Sequence, residues 1–439
     1  MTSALPPTVA VPRPALPGAS RWTLPNGLRV VAVRRPTVPM VELRLWIPWP
    51  PGGRIPAATE LLAETLVAGT HRRTGLELAA ALQGAGGGLA ASADPDRLGL
   101  AGSALSAELP ALLDVLAEVL VSAAYPDDEV LAERERLAQG LEADLSRPDV
   151  LARTAVLAGL YGADHPYAME LPAADDVRAV TPGLLRAVHA DVVSPAGAVL
   201  VLVGDLDVAV AEAASARALG AWRAPVAPRA LVPGESRPGG ARTGVLVHRA
   251  DATQANIRLA APVPGHRDPR HATLELANLV LGGYLSSRLF RRLRDDLGYA
   301  YRVHSSIEHA RDGSRLVLEV DVAGRLVAET LAEIRRELLR LAAEPPDEVE
   351  LRQARDFALG GLALETGSQV DVAMLLFRLV PFDLDLAWVD GHVAALADVG
   401  PAAVAEVAGA FLAPEDFVTA VVADAGATGA VPGLRPLDG

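Results

Sequence analysis

The stretch "MVELRLWIP" (Met40–Pro48) reads as a strand from its length and its β-branched, apolar content, and it returns 214 residues later as "QANIRLAAP" (Gln254–Pro262). The same offset carries Ala58-Thr59 onto Ala272-Thr273, Leu62 onto Leu276, Ala63 onto Ala277 and Gly69 onto Gly283. Further along, "VTPGLLRAVHADVVSPAGAVLVLVGD" (Val180–Asp205) faces "VGPAAVAEVAGAFLAPEDFVTAVVAD" (Val399–Asp424) at an offset of 219. A long-period repeat of this kind means one structural unit written twice. Each copy reads as strand, strand, helix, a helical middle, then a Pro-punctuated helix and a last strand. Strands and helices without strict alternation give α+β halves. The expected fold is therefore two homologous α+β halves in tandem. Each is a mainly antiparallel sheet packed with helices, and a pseudo-twofold relation leaves a cleft between them.

The join falls in "APVAPRALVPGESRPGGART" (Ala224–Thr243), whose Pro, Gly and Ser density marks a linker. The chain divides into a Pro-rich disordered arm (1–20), a first half (21–223), the linker (224–243), a second half (244–424) and a tail (425–439). There are 439 residues and a formal net charge of −14, an acidic balance that gives no support to nucleic-acid or membrane-surface binding. Every fixed basic side chain is arginine. The absence of cysteine excludes disulfides, thiolate zinc sites and cysteine nucleophiles. The N-terminus lacks a basic stretch followed by an apolar one, and no apolar run is long enough to span a bilayer. The expected location is the cytoplasm.

Several segments together resemble the pitrilysin (insulinase-like) family of zinc peptidases. "RWTLPNGLRVVAVRRP" resembles the family's opening hairpin. "YGADHPYAMELPAADDVRAVTPGLLRAVHADVVSPAGAVLVLVGDLD" resembles the close of its first half, and "LGGYLSSRLFRRLRDDLGYAYRV" a segment of its second. The resemblance runs from about Arg21 to Asp424 and implies chains of two halves that enclose a chamber. The family's zinc motif is H-x-x-E-H. Two histidines at i and i+4 share a helix face and hold the metal, while the glutamate polarises its water; a third ligand, a glutamate, comes from a later helix.

In "PAATELLAETLVAGTHRR" (Pro56–Arg73), a helix closed by Gly69, registering on Gly69-Thr70 places the motif on Glu60, Ala63 and Glu64. The third-ligand position falls on Gly140, with Glu142 as a second register. Both histidines are thus replaced by carboxylates and the base by a methyl group. Two carboxylates alone make a poor metal site, since zinc favours imidazole and Mg²⁺ or Ca²⁺ needs more oxygens. They read as water-facing glutamates whose repulsion costs only about 0.2–0.5 kcal/mol. None of the nine histidines pairs with another at i, i+4. His266/His271 and His304/His309 are five apart and are assigned to the surface.

"RRLRDDLGYAYRV" carries Arg294 and, seven residues on, Tyr301. The resemblance implies that such a pair binds the substrate backbone beside the scissile bond, a task suited to a phenol donor and a multi-donor guanidinium. Tyr299 competes for the tyrosine role. A pairing of Arg294 with Asp295 or Asp296 is the structural alternative. "LQGAGGGLAASAD" (Leu82–Asp94) is either an edge strand that pairs with a peptide or a flexible turn. The resulting expectation is a catalytically silent subunit, similar to the non-catalytic subunit of mitochondrial processing peptidase. It holds no metal and is inactive alone. Its partner is a homologous catalytic subunit carrying H-x-x-E-H and the zinc. Together they would hydrolyse short or unfolded peptides, leader peptides among them. The other reading is a non-enzymatic scaffold or peptide-holding protein of the same fold. No nucleophile–base set supports a self-sufficient enzyme.

Overall fold

Met40–Pro48 and Gln254–Val263 are both strands and hold the same place in two separate sheets. The structure is a computed structural model that describes residues 16–50, 54–223, 244–250, 252–428 and 431–437. The linker assigned to 224–243 and most of the N-terminal arm lie outside the described residues.

The first half supplies β1 (Ala19–Thr23), β2 (Arg29–Arg34), β3 (Met40–Pro48), β4 (Gly88–Ala93), β5 (Arg97–Leu105) and β6 (Val199–Gly204). The second supplies β7 (Gly244–His248), β8 (Gln254–Val263), β9 (Ala300–Ala310), β10 (Gly313–Ala323), β11 (Val418–Ala423) and β12 (Leu434–Leu437). The strand orders are β1-β2-β6-β3-β5-β4 and β12-β7-β11-β8-β10-β9. From β2 and β7 inward the two orders are the same, so the repeat read from sequence is a repeat of topology. Only the outermost strands differ: β1 runs antiparallel to β2, whereas β12 comes from the chain's other end and runs parallel to β7. β1 begins inside the stretch assigned to the arm, and β12 lies within that assigned to the tail.

The repeat extends to a buried charge. Arg44 on β3 and Arg258 on β8 are 214 residues apart and only 6% and 1% exposed. Arg44 donates to Glu42 at 3.1 Å and to the carbonyl of Leu43, and Arg258 donates to Asp321 at 2.9 Å. Each mid-sheet guanidinium thus has the acidic partner that a buried charge requires.

β3 is buried along almost its whole length, so its apolar residues run on without the alternation of a one-faced strand. One face packs on the helices of its own half, with Leu43, Leu45 and Ile47 in that core. The other face is covered from the second half. Helix Gln369–Leu379 lays Val372, Leu375 and Leu376 on Val31, Trp46, Val199 and Val201. The loan is returned: Val156, Leu157 and Leu160 of helix Pro148–Tyr161 pack on Val245, Ala260 and Val418 of the second sheet. No single helix among the described residues is long and apolar enough to cross a membrane.

A cavity of about 730 Å³ lies between the halves. Asp94, Asp96, Tyr167 and Glu170 line it from the first half, and His266, His271, Glu275, His309 and His392 from the second.

Candidate metal centre

The segment read as the degenerate zinc motif is a helix over Pro56–Thr65, with proline in its first turn. Ala63, at the position of the base, is 3% exposed and belongs to the first core. Glu64 is exposed and pairs with Arg136 at 3.0 Å. Gly140 faces open space, since a Cβ built there meets nothing within 4 Å. No group of three His, Asp or Glu able to hold a metal forms here among the described residues.

Glu60 is the unusual member of this helix. Burial pushes its carboxyl up to about 7, with the charges of Glu64 and Asp94 adding to the effect and Arg54 opposing it. Arg54 gives only partial relief, because its guanidinium donates to the carbonyl of Met169 at 3.1 and 3.2 Å. Between the unfolded value near 4.5 and the folded value near 7, the folded chain binds the extra proton, so stability falls as pH rises through that window. Glu60→Gln should flatten this slope and raise stability above pH 7 by at most about 3 kcal/mol. Urea unfolding at pH 5 and pH 8 measures it, and equal slopes in variant and wild type would refute the assignment.

The second half builds a different site on the equivalent helix. Helix His271–Asn278 is the repeat partner of Pro56–Thr65, and it places His271 and Glu275 four residues apart on one face. It runs directly into a π-helical turn, Leu279–Gly283, a feature frequent at functional sites. His266 comes from the loop that precedes the helix, and its Nδ1 lies 3.2 Å from His271 Nε2. His309 comes from the end of β9, where the hairpin register sets it opposite Ser314 of β10. Its Nδ1 is 2.8 Å from Ser314 Oγ, a contact that orients the ring and leaves Nε2 free. The rings of His266 and His309 lie 3.7 Å apart, centroid to centroid, and are tilted by 32° to one another.

His392 comes from helix Leu386–Asp398, whose first turn is capped by Asp385 through the backbone N–H of Trp388. Trp388 and His392 are one turn apart and stack at 4.7 Å. His392 Nε2 then meets Glu275 Oε2 at 2.7 Å.

His271 and His392 are 5% and 7% exposed. Burial, followed by the mutual repulsion of the imidazoles, holds His266, His271 and His309 down to about 3. At neutral pH these rings are uncharged and their lone pairs are available, the form in which histidine binds a metal. Two sets bring their ligand atoms within 4.8 Å of one another: His266, His271 and His309, and His271, Glu275 and His392. A set of imidazoles with one carboxylate suits zinc and its transition-metal neighbours.

This cluster corrects the sequence reading. A chain without its own metal site, silent alone, without a cofactor and dependent on zinc in another subunit, is not what the fold presents. A group able to coordinate a metal ion is built into this chain. The assignment of His266, His271 and His309 to the surface fails with it, because His266 and His309 are half-buried and His271 is buried; His304 alone of the four is exposed. The one local signal was the His271/Glu275 spacing on the repeated helix, which a search for pairs of histidines passes over.

Arg294 and Tyr301 do come together. The Arg294 guanidinium sits 4.8 Å from the Phe290 ring and 5.0 Å from that of Tyr301, which is 84% exposed. Tyr299 instead packs against the second core. Neither Arg294 nor Tyr301 lines the cavity between the halves. "GLAASA" of the glycine-bearing stretch is strand β4, at the edge of the first sheet.

Comparison with known proteins agrees with this architecture. The model of the insulinase family (peptidase family M16) matches residues 54–166, and the model described as the peptidase M16 inactive domain matches residues 179–357. An uncharacterized zinc protease of Mycobacterium tuberculosis is 29% identical over 363 residues, covering 80% of this chain and 82% of the relative. One from Bacillus subtilis is 23% identical, covering 79% and 84%. Among solved structures, the peptidase M16 inactive domain from Pseudomonas fluorescens superposes with a TM-score of 0.82 at 22% identity, covering 92% of this chain and 98% of that one. A protease from Helicobacter pylori gives 0.83 at 20%, covering 93% and 100%.

Proposed function

We propose that this chain, which has the pitrilysin/insulinase (M16) metallopeptidase fold with an inactive-type C-terminal domain, is itself a metal-dependent hydrolase of peptides whose metal sits in its second half. The observation that carries the reading is the set of four histidines and Glu275 on the wall of the cavity between the halves. The names of the mycobacterial and Bacillus relatives support zinc as the metal and peptide bonds as the target. His266, His271, His309, His392 and Glu275 supply the two ligand sets that could hold the metal, which when bound supplies a Lewis acid and an activated water. The chain's own part is to keep the imidazoles neutral by burial, to orient His309 through Ser314, and to fix His392 between Trp388 and Glu275. A cavity of about 730 Å³ is of the size that takes small ligands, so it admits a short peptide segment and excludes a folded protein.

Arg294 and Tyr301 then act at a distance. Eight residues of extended β9 separate Tyr301 from His309, roughly 26 Å, so the two cannot touch one reacting carbonyl. Their role on this reading is to hold the peptide chain beyond the metal. Tyr301→Phe and Arg294→Ala should each raise the Michaelis constant several-fold and leave kcat unchanged, as loss of uniform binding does. A fall in kcat with an unchanged Michaelis constant would place the pair at the chemistry instead.

The direct test uses the purified full-length chain. Zinc content by elemental analysis, and cleavage of a quenched fluorescent peptide library before and after chelation, should rise and fall together and recover when zinc is restored. A zinc-loaded chain that cleaves nothing would overturn the hydrolase reading.

A further inference from the structure

We infer that the cluster holds two metal ions side by side, bridged by the imidazole of His271. The inference rests on the metal-centre reading and extends it. Five donors converge here, one more than a single tetrahedral ion accepts. They divide into two sets that share only His271. In a tetrahedral shell with bonds near 2.0–2.1 Å, two ligand atoms stand about 3.3 Å apart. The pair His266 Nδ1 and His271 Nε2, at 3.2 Å, already has that spacing. His392 Nε2 and Glu275 Oε2 form a second such pair at 2.7 Å, close enough for one ion to open them slightly.

The decisive atom is His271 Nδ1. Nε2 faces His266, so the first ion takes that nitrogen. A histidine bound to one metal almost always donates its other ring N–H to a carbonyl, a carboxylate or water. His309 follows this pattern through Ser314. His271 does not, because its Nδ1 is buried and has no hydrogen-bond partner. An unpartnered nitrogen in the interior is costly, and a second ion satisfies it. Glu275, one turn along the same helix, and His392 complete that ion's protein shell. Bridging requires the ring to lose its remaining proton to solvent. The resulting imidazolate and the Glu275 carboxylate together offset two of the four positive charges. Each ion keeps a position open toward the cavity, because each has three protein ligands.

Zinc titration of the metal-free full-length chain, followed by elemental analysis after gel filtration, should give two zinc ions per chain. Glu275→Gln and His309→Ala should each lower the count to one, with wild-type circular dichroism confirming that the fold is kept. With copper(II) as the probe, the second equivalent should reduce rather than double the paramagnetic signal, since copper ions joined by one imidazolate couple magnetically. One zinc per chain at saturation would overturn the bridge and leave the metal centre standing. Two zinc ions retained by Glu275→Gln would place the second elsewhere and equally overturn the bridge. No zinc at all would overturn both readings.

Discussion

His271→Ala should abolish tight zinc binding, with a loss of more than about 100-fold in affinity, and should take metal-dependent peptide cleavage with it. The size follows from position. His271 belongs to both ligand sets, so no alternative group of three remains when it is gone. A residue that only orients a ligand is already worth about 10–100-fold, and a shared ligand exceeds that. Ser314→Ala, which frees the Nδ1 of His309, should fall within the smaller range. His304→Ala should change nothing, because that ring faces the cavity but is exposed and belongs to neither set. Calorimetric zinc titration of the three variants gives the order directly. His271→Ala binding zinc as tightly as wild type would remove the cluster from consideration.

Glu308→Ala should destabilise the fold by about 3 kcal/mol, roughly 100-fold in the folding equilibrium. Glu308 on β9 receives both terminal nitrogens of Arg153 at 2.8 and 2.9 Å and pairs with Arg315 at 2.7 Å. Arg153 and Arg315 in turn share Glu170. Two of the four residues come from each half, so the ring of charges fastens the halves beside the cavity. Arg315 is almost fully buried, and deleting Glu308 leaves it and Arg153 with a single carboxylate between them. Burial works to raise the Glu308 carboxyl, yet Arg153 and then Arg315 more than offset it and hold it below the usual range. This contribution is therefore present at neutral pH and is lost as pH falls through the acid range, opposite in sense to Glu60. Asp114→Ala, which breaks an exposed pair with Arg217, is the control and should cost no more than about 1 kcal/mol. A Glu308→Ala chain unfolding within 0.5 kcal/mol of wild type, roughly the scatter of surface substitutions, would show that the ring contributes little.

Much of the architecture was legible because duplication leaves a trace that survives divergence. An arginine in the middle of an apolar strand at residue 44 and again at 258 is improbable unless both strands occupy one structural role. The metal centre was not legible, and the reason is geometric. Its ligands come from a loop, a helix, a strand end and a second helix that starts 77 residues after His309, and only His271 and Glu275 carry a local spacing. The motif positions Glu60, Ala63 and Glu64 carry no histidine, and that reading concerned the helix of the first half alone. The step from there to a chain without a metal site failed, because it took one half's helix to speak for both.

The helices that cross between the halves have a consequence for how the chain becomes whole. Two copies that trade an element make the arrangement of a domain-swapped dimer, here with both protomers on one polypeptide. Covalent joining replaces association between molecules by a local concentration set by the tether. Neither half is then a self-contained module: residues 21–223 alone would leave Val31, Trp46 and Val199 bare to water. The dependence reaches the metal centre. Leu386 and Val389, on the helix that bears His392, are buried in that same borrowed layer against the first sheet. Every ligand belongs to the second half, yet the last of them takes its position from a surface that the first half provides.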